Sequence, residues 1–347
     1  MSASVEEPPP RGAAVPKTSP PGAETILDTP AALKTRPQTL LAVPVGACIS
    51  LAIHYFVPKR EVAPPSNYYP ILLFILLGLG LLGAALYPLS ENVRKRMRTM
   101  CPVLAAAILG LGIWELITTC LGLLPLPYFP GPEGVFHSMI SDYKVLIDST
   151  WHSLVLLTLG YIVGVVVALV TGVTIGWFPH ARYWGMPLLK VIGPIPATAW
   201  IPLAMVLSPN TFVSAVGLIA LAVWFPVTML TFSGISSTPA SYLDVARTLG
   251  ASRLYLVFRV AIPAAMPNIF IGLFMGLGTS FLTLVVAEKV GVKSGLGWYV
   301  DWAQGWAEYG KVYGALIIMA AFFSTIMTVL FKVRDKILVW QKGAIKW

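Results

Sequence analysis

Side chains that could carry out chemistry are few in this sequence and lie far apart along it. The histidines and cysteines show none of the short spacings of a metal site, and the cysteines form no disulfide framework. No Ser/His/Asp set and no pair of carboxylates can be assigned to one catalytic site. We therefore predict no catalytic residue, no metal ligand and no cofactor, and we expect the cysteines to be small packing residues. The residues concerned are His54, His137, His152, His180, Cys48, Cys101 and Cys120.

Four charged residues lie at or near the edges of long apolar stretches, where ionisable groups are costly and often functional. They are Glu115, Lys190, Glu288 and Lys289. Glu115 is interpreted either as a helix-packing acid bonded to Thr118 or Thr119, or as a residue of a transport pathway. Glu288 and Lys289 form either a solvated pair at a membrane surface or a place where an anion meets Lys289.

The composition is that of an integral membrane protein. Of the 347 residues, 56% are hydrophobic and 11% are charged, and the mean hydropathy is +0.77. Eight stretches approach the length of about 20 residues that an apolar helix needs to cross a bilayer. The predicted spans are residues 38–57, 69–89, 101–124, 151–177, 185–207, 211–232, 264–287 and 312–331. A G-x-G-x-x-G pattern at 78–83 lies inside a span with no strand before it, so we predict no nucleotide-binding domain.

Basic residues concentrate in alternate loops and orient the predicted helices. They follow the second and eighth spans and lie between the sixth and seventh, whereas the loop 125–150 carries three acids against one lysine. An excess of Lys and Arg marks cytoplasmic loops, so we expect both termini in the cytoplasm. Most of the net charge of +9 then faces the cytosol, and no nucleic-acid partner is needed to explain it.

The chain is expected to have three parts. Residues 1–37 are rich in Pro, Ala, Ser and Thr without periodicity, which predicts a disordered cytoplasmic tail. Residues 38–100 supply two transmembrane helices and a basic cytoplasmic loop, and residues 101–347 supply six spans. The predicted fold class is all-α, a polytopic membrane helical bundle.

The segment between the sixth and seventh spans is too polar to cross a membrane, and we call residues 238–263 the elbow. Ser241 and Asp244 have the spacing of a capping box, and Gly250 is suited to end a helix over 241–250 in a left-handed conformation. Ser252 can cap a second short helix that runs to Pro263. The alternative is an ordinary amphipathic connector on the membrane surface.

Three prolines interrupt the fifth span, at Pro194, Pro196 and Pro202. Each removes a backbone donor and clashes with the preceding helical turn, so one regular helix is excluded. Irregular backbone at membrane depth survives where protein or a water-filled cavity covers it. We therefore expect this segment inside the bundle beside a pathway, with a simple kink as the alternative. Elsewhere, pairs of glycines four residues apart predict close helix packing, at 160 and 164, 172 and 176, and 272 and 276.

Two motifs give the chain a family resemblance. Asp244-Val245-Ala246, followed by Gly250 and Ile262-Pro263, resembles the EAA loop of permease subunits of bacterial ABC importers, with Asp244 in place of Glu and Val245 in place of the first Ala. The stretch 194–204 is similar to the proline-rich third span of the permeases for nitrate, bicarbonate, taurine and aliphatic sulfonates. Shorter likenesses at 114–116, 151–164, 285–288 and 295–297 extend the resemblance over about 101–347. The family more often has an apolar residue at the position of Lys289.

The resemblance implies a function and partners. The first elbow helix would be the coupling helix that docks on a cytoplasmic ABC ATPase, and an extracytoplasmic binding protein would deliver the solute. A second permease subunit, either an identical copy in a homodimer or a related permease, would complete the pathway. The chain itself would be a transport subunit in the lipid of a bacterial inner membrane and no enzyme. The implied docking residues are Tyr242, Asp244, Ala246, Arg247, Leu249 and Gly250. The pathway candidates are Pro194, Pro196, Trp200, Glu288 and Lys289.

The alternatives come from other classes. A secondary transporter or channel without an ATPase would require ionisable residues within the helices, and symmetric halves would be typical of it. Neither feature is evident. A membrane enzyme would require a convergent polar site, and none can be assembled. The sequence therefore favours an ATP-driven importer of a small anion, with six core spans and two additional N-terminal helices.

Overall fold

The computed structural model of the chain describes residues 41–61, 66–87 and 91–339, and these residues contain helices and no strand. The chain divides into two compact units, Met1–Ile49 with Phe74–Leu109, and Ser50–Leu73 with Gly110–Trp347. The predicted tail, residues 1–37, lies outside the described residues, as does the end of the chain from 340 onward.

The helices follow one another with short connections. Their bounds are α1 Ala42–Phe56, α2 Tyr68–Leu86, α3 Glu91–Glu115 with a π turn Leu116–Cys120, α4 Pro132–Ser141, α5 Tyr143–Trp177, α6 Pro179–Ile192, a 3-10 turn Ala197–Trp200, α7 Ile201–Leu207, α8 Thr211–Ser236, α9 Ala240–Thr248, α10 Arg253–Tyr255 with a π turn Leu256–Ala261, α11 Ile262–Gly291, α12 Leu296–Gly305 and α13 Tyr309–Ile337.

Six of the helical segments in the described residues are long and apolar enough to cross a membrane, and the bent pair α6–α7 makes a seventh if it is one span. The all-α membrane fold is therefore confirmed. Helix α1 is only 15 residues long, or roughly 22 Å at 1.5 Å per residue, which is short of the hydrocarbon thickness of about 30 Å. The pair of extra N-terminal spans stays a prediction, although α2 alone is long enough.

In the larger unit, α5, α8 and α11 pack closely because glycines line their contact faces. A Cβ on Gly160 would come within 2.6 Å of Ile219, and one on Gly164 within 2.7 Å of the Ala220 carbonyl oxygen. A Cβ on Gly272 of α11 would likewise lie 3.1 Å from the Cα of Val227 in α8. The predicted glycine faces are thus confirmed as helix contacts.

The smaller unit contains the first part of α1, most of α2 and the first part of α3. Cys101 is buried there, and Cys120 is buried in the larger unit, which confirms both as packing residues. Cys48 is exposed, so the packing prediction is wrong for this cysteine. Its α1 position points away from the buried face formed by Val43 and Ala47.

Candidate functional site

The elbow forms a short helix followed by a left-handed turn, as the sequence predicts. Helix α9 ends at Thr248, and Gly250 has a φ of 81°, a conformation that other residues adopt only with strain. The Gly250 N–H donates to the Arg247 carbonyl oxygen at 2.9 Å, and the Ala251 N–H donates to that of Ala246 at 3.0 Å. These bonds satisfy the last carbonyl groups of the helix and fix the direction in which the chain leaves it.

The predicted capping box is wrong. Helix α9 begins at Ala240, its N-cap is Pro239, and no side chain caps it. Since the helix starts before Ser241, that residue already lies inside it and cannot accept the orphan N–H groups of the first turn. Asp244 instead pairs with Arg247 at 2.9 Å on the exposed surface.

The second half of the elbow is continuous with the next span. Ser252 caps it as predicted, with its hydroxyl accepting from the Tyr255 N–H at 3.3 Å. The expectation that this helix ends at Pro263 is wrong, because the chain runs through the π turn Leu256–Ala261 directly into α11. The Ile262 N–H reaches back five residues to the Val257 carbonyl oxygen. Pro263 then lies in the first turn of α11, where a missing N–H is tolerated.

The elbow is joined firmly to the bundle at both of its ends. Ala261 and Ala265 are buried against Ile235 of α8 in one apolar cluster. Arg182 of α6 donates to the Gly176 carbonyl oxygen and to the Ser236 hydroxyl, each at 2.9 Å. Nothing in the local sequence indicates that Arg182 reaches Ser236, the last residue of α8 before the elbow.

The surface of α9 is exposed and partly apolar. Tyr242, Val245 and Leu249 share one helical face and are 58%, 61% and 83% exposed. Ala246 is half-buried, and the ion pair of Asp244 with Arg247 lies on the remaining surface. Of the predicted docking residues, four lie on α9 and two follow directly in the turn that ends it: Tyr242, Asp244, Ala246 and Arg247, then Leu249 and Gly250.

The proline-rich segment is broken, as predicted. Helix α6 and the segment Ala197–Leu207 meet at an angle of 86°. Pro194 and Pro196 are exposed, so the expectation that the whole segment lies inside this chain's bundle is wrong for these residues. Helix α6 packs on α5, whereas the 3-10 turn Ala197–Trp200 after the bend contacts both α8 and α11. The Trp200 indole N–H is buried without a hydrogen-bond partner among the described residues.

Glu288 anchors α12. Its Oε1 accepts from the Ser153 hydroxyl at 2.6 Å, and its Oε2 accepts from the Gly297 N–H at 2.7 Å. Ser153 also accepts from the Leu296 N–H at 2.9 Å. A carboxylate at a helix N-terminus satisfies orphan donors and is favoured by the helix dipole. Since Glu288 is 1% exposed, it does not form the solvated pair with Lys289 that the sequence allowed.

Two other interactions hold the same region. Lys289 lies 3.9 Å from Asp301 and donates to Gln304 at 3.4 Å, on the outer side of α12. The Tyr299 hydroxyl donates to Asp142 at 2.9 Å. Burial and the adjacent Asp142 carboxylate raise the pKa of the Tyr299 phenol above its ordinary value.

Asp142 also pairs with Lys311 at 3.0 Å, and Lys311 pairs with Glu308 at 2.8 Å. The starts of α12 and α13 are thus tied to the loop before α5, at the end of the bundle remote from the elbow.

Glu115 has a partner that the sequence did not indicate. His54 Nδ1 lies 2.6 Å from Glu115 Oε1, so the expected bond to Thr118 or Thr119 is wrong. The Thr118 hydroxyl donates instead to the Trp114 carbonyl oxygen at 2.7 Å. The pairing was missed because 61 positions separate His54 from Glu115 and no short motif connects them.

Comparisons with known proteins agree with this arrangement. Residues 160–337, just over half of the chain, match the family described as binding-protein-dependent transport system inner membrane component. A probable ABC transporter permease protein of Haemophilus influenzae is 29% identical over 172 residues, covering 50% of this chain and 69% of that protein.

Two further relatives have substrates in their names. The taurine transport system permease protein TauC of Escherichia coli is 27% identical over 190 residues, covering 53% of this chain and 66% of that protein. The bicarbonate transport system permease protein CmpB of Synechocystis is 28% identical over 193 residues, covering 53% and 69%. The chain belongs to the binding-protein-dependent transport system inner membrane components and is a permease subunit of an ABC importer.

Proposed function

We propose that this permease imports a small anion across the inner membrane by alternating access, driven by a separate cytoplasmic ATPase that docks on the elbow. The observation that carries the proposal is the exposed apolar face of α9, formed by Tyr242, Val245 and Leu249. A helix of nine residues is marginal by itself in water. Large apolar side chains presented on such a helix are suited to bury themselves in the groove of a protein partner.

The elbow is built to transmit a rigid-body movement. It joins α8 to α11, and these helices pack against each other along glycine faces. The buried cluster around Ala261 and the contacts of Arg182 leave little freedom between α9 and the bundle. Closure of an ATPase dimer beneath α9 would therefore move whole helices, which is how packed interfaces switch between discrete arrangements.

The pathway would lie between two copies of the permease. Pro194 and Pro196 are exposed at the 86° bend, and irregular backbone at membrane depth needs a protein or aqueous neighbour. A second subunit placed against the bend would supply that neighbour. The buried Trp200 N–H is a donor that suits an anion or a water in such a pathway. Lys289, at the remote end of α11, would attract anions entering from outside.

The anion class is supported by the names of relatives, which include bicarbonate and taurine permeases at 28% and 27% identity. We infer that the elbow and both termini face the cytoplasm, because they lie on the side of the membrane where the loops rich in Lys and Arg are found, and such loops are typically cytoplasmic. The remote end, with α4 and α12, would then receive the binding protein.

Co-purification from bacterial membranes in mild detergent tests the docking surface. We expect an ABC ATPase to accompany the wild type and to be lost from Leu249→Asp, because a carboxylate on the apolar face cannot be buried without a partner. Thr248→Asp, on the same helix but off that face, is the matched control and should retain the ATPase. Equal recovery with both variants would contradict docking through Tyr242, Val245 and Leu249.

A further inference from the structure

The family match begins at residue 160, and the end of α1, the start of α2 and the described residues between them lie far outside it. We call residues 50–61 and 66–73 the hairpin tip. The hairpin tip belongs to the same compact unit as the bundle from Gly110 onward. Its contacts with α3 and α4 involve two buried carboxylates, Glu115 and Glu133.

The first carboxylate, Glu115, lies close to charged and polar groups of the hairpin tip. Glu115 is 1% exposed, and its Oε1 lies 2.6 Å from His54 Nδ1 and 4.0 Å from Lys59 Nζ. Lys59 Nζ in turn lies 3.3 Å from His54 Nε2. The His54 ring thus lies between the Glu115 carboxylate and the Lys59 amine and is within hydrogen-bond distance of both.

The second carboxylate, Glu133 at the start of α4, closes the first turn of α2. It accepts from the Tyr68 N–H at 3.1 Å, from the Tyr69 N–H at 3.0 Å and from the Ser66 hydroxyl. An acid commonly caps its own helix in this way, but here α4 supplies the cap for a helix 64 positions earlier. Glu133 is 4% exposed.

Backbone and ring contacts complete the junction. The N–H groups of Arg60 and Glu61 both donate to the Thr119 carbonyl oxygen, at 3.0 and 3.3 Å. This carbonyl group is available because it lies in the π turn that ends α3. The Tyr69 ring is fully buried and stacks on Phe136 of α4 at 6.3 Å.

The bundle depends on the hairpin tip for the partners of its two buried acids. Among the described residues, the hydrogen-bond and ion-pair partners of Glu115 and Glu133 all belong to the hairpin tip. Without the hairpin tip, the bundle would contain two buried carboxylates with no donor, which is far more costly than a lost surface contact.

We propose that the hairpin tip is a fixed brace of the permease, which holds the end of α3 to the start of α4 through the buried acids Glu115 and Glu133. The brace acts beyond its own contacts, because α4 packs on the first turns of α13. A Cβ on Gly310 of α13 would come within 2.7 Å of the Ser138 hydroxyl of α4. The brace therefore sets the position of the end of the bundle that is remote from the elbow.

A double-mutant cycle on the purified full chain in detergent tests the brace, with thermal unfolding as the readout. His54→Leu should lower the Tm by several degrees, because it leaves the Glu115 carboxylate buried without its closest partner. Glu115→Leu should also lower the Tm. The double variant should recover most of the loss, since Lys59 can extend its amine to solvent and no buried carboxylate remains.

The matched control is the exposed pair of His152 and Asp148, also a histidine with a carboxylate, whose Nδ1 and Oδ2 atoms lie 3.4 Å apart. His152→Leu and Asp148→Leu should show no coupling, because exposed pairs contribute little. Additive losses at His54 and Glu115, equal to those of the control cycle, would overturn the brace.

Hydrogen exchange distinguishes a brace that holds α4 in place from a contact that stabilises only its immediate neighbours. In Glu133→Gln, the amides of Tyr68, Tyr69, Ile71 and α4 should exchange faster, by on the order of tenfold, while those in the middle of α5 remain unchanged. A change confined to residue 133 and its immediate neighbours would show that the hairpin tip rests on α4 without holding it. Both readouts concern the permease alone, so their outcome is independent of the proposed ATPase and substrate.

Discussion

At the residue scale, Gly250 and Glu288 show how single positions fix the two ends of the bundle. Gly250 has a φ of 81° with open space around its Cα, so backbone conformation and not crowding requires glycine there. Glu288 is the reverse case, since the neighbouring Gly295 and Gly297 bring backbone against its carboxylate. A Cβ on Gly295 would come within 2.4 Å of the Glu288 carboxylate, and one on Gly297 within 2.5 Å of the Val285 carbonyl oxygen.

Replacing Gly250 by valine should uncouple transport without removing the protein from the membrane. A β-branched residue at positive φ costs roughly 1–2 kcal/mol and would redirect the chain after α9. We expect ATP-dependent uptake by membrane vesicles to fall at least about tenfold, because the docking side chains of α9 would no longer be held in the correct position relative to α11. Gly217→Val is the control, because Gly217 in α8 has ordinary helical geometry and open space around it. Unimpaired uptake by Gly250→Val would count against the elbow as the coupling site.

Replacing Glu288 by glutamine should destabilise the permease although the shape is kept. Both carboxylate oxygens accept hydrogen bonds, and an amide nitrogen can accept neither the Ser153 nor the Gly297 donor. The expected loss is about 1–3 kcal/mol, as for a buried donor left unsatisfied. Thermal unfolding measures it, with Asp301→Asn on the exposed side of α12 as the control. Identical melting of both variants would show that the α12 anchor is dispensable.

At the element scale, glycine faces allow α8 to lie between α5 and α11. Gly164 of α5 and Gly272 of α11 both face α8, and in each case a side chain would meet backbone atoms. Backbone atoms cannot rotate away as the end of a long side chain can. The spacing between these helices is therefore set by the absence of side chains at a few positions.

Gly164→Val should prevent close packing of α5 on α8, because its Cβ would lie 2.7 Å from the Ala220 carbonyl oxygen. Overpacking of this kind typically costs about 1–3 kcal/mol. We expect a lower Tm and reduced abundance in the membrane. Gly278→Val in α11, where nothing lies within 4 Å, is the matched control. If the two variants have the same Tm, close approach at Gly164 does not set the spacing between α5 and α8.

Local patterns predicted the elements well, and long-range pairings escaped them. The left-handed turn at Gly250, the cap at Ser252 and the glycine faces follow from residues within a few positions of each other. The pairing of His54 with Glu115 and the cap that Glu133 gives to α2 join segments more than 60 positions apart. Such contacts depend on how helices are arranged, which one sequence does not encode in any short motif.

The boundaries of the elbow were missed for a similar reason. The capping box at Ser241 and a helix end at Pro263 were the local preferences. The structure starts α9 one residue earlier and carries the chain through a π turn into α11. Packing of Ala261 and Ala265 on α8 outweighs those local preferences.

At the scale of the whole molecule, the permease joins one exposed helix, α9, to a bundle whose remote end is held by buried acids. Glu288 ties α12 to α5 and α11, and Glu133 ties α4 to the start of α2. A movement imposed at α9 would therefore be passed on through packed helices rather than lost in loose connections. We propose that the conformational change driven by ATP hydrolysis on a separate subunit reaches the permease through α9.

Uptake into proteoliposomes tests this claim most directly. The permease, its ATPase and its binding protein would be reconstituted together, with bicarbonate or taurine as the labelled solute. We predict uptake that requires ATP and the binding protein, and its loss when Leu249→Asp replaces the wild type but not when Thr248→Asp does. Uptake by the permease alone, without ATP and unaffected by Leu249→Asp, would contradict ATP-driven import through α9 and would identify a secondary transporter or channel.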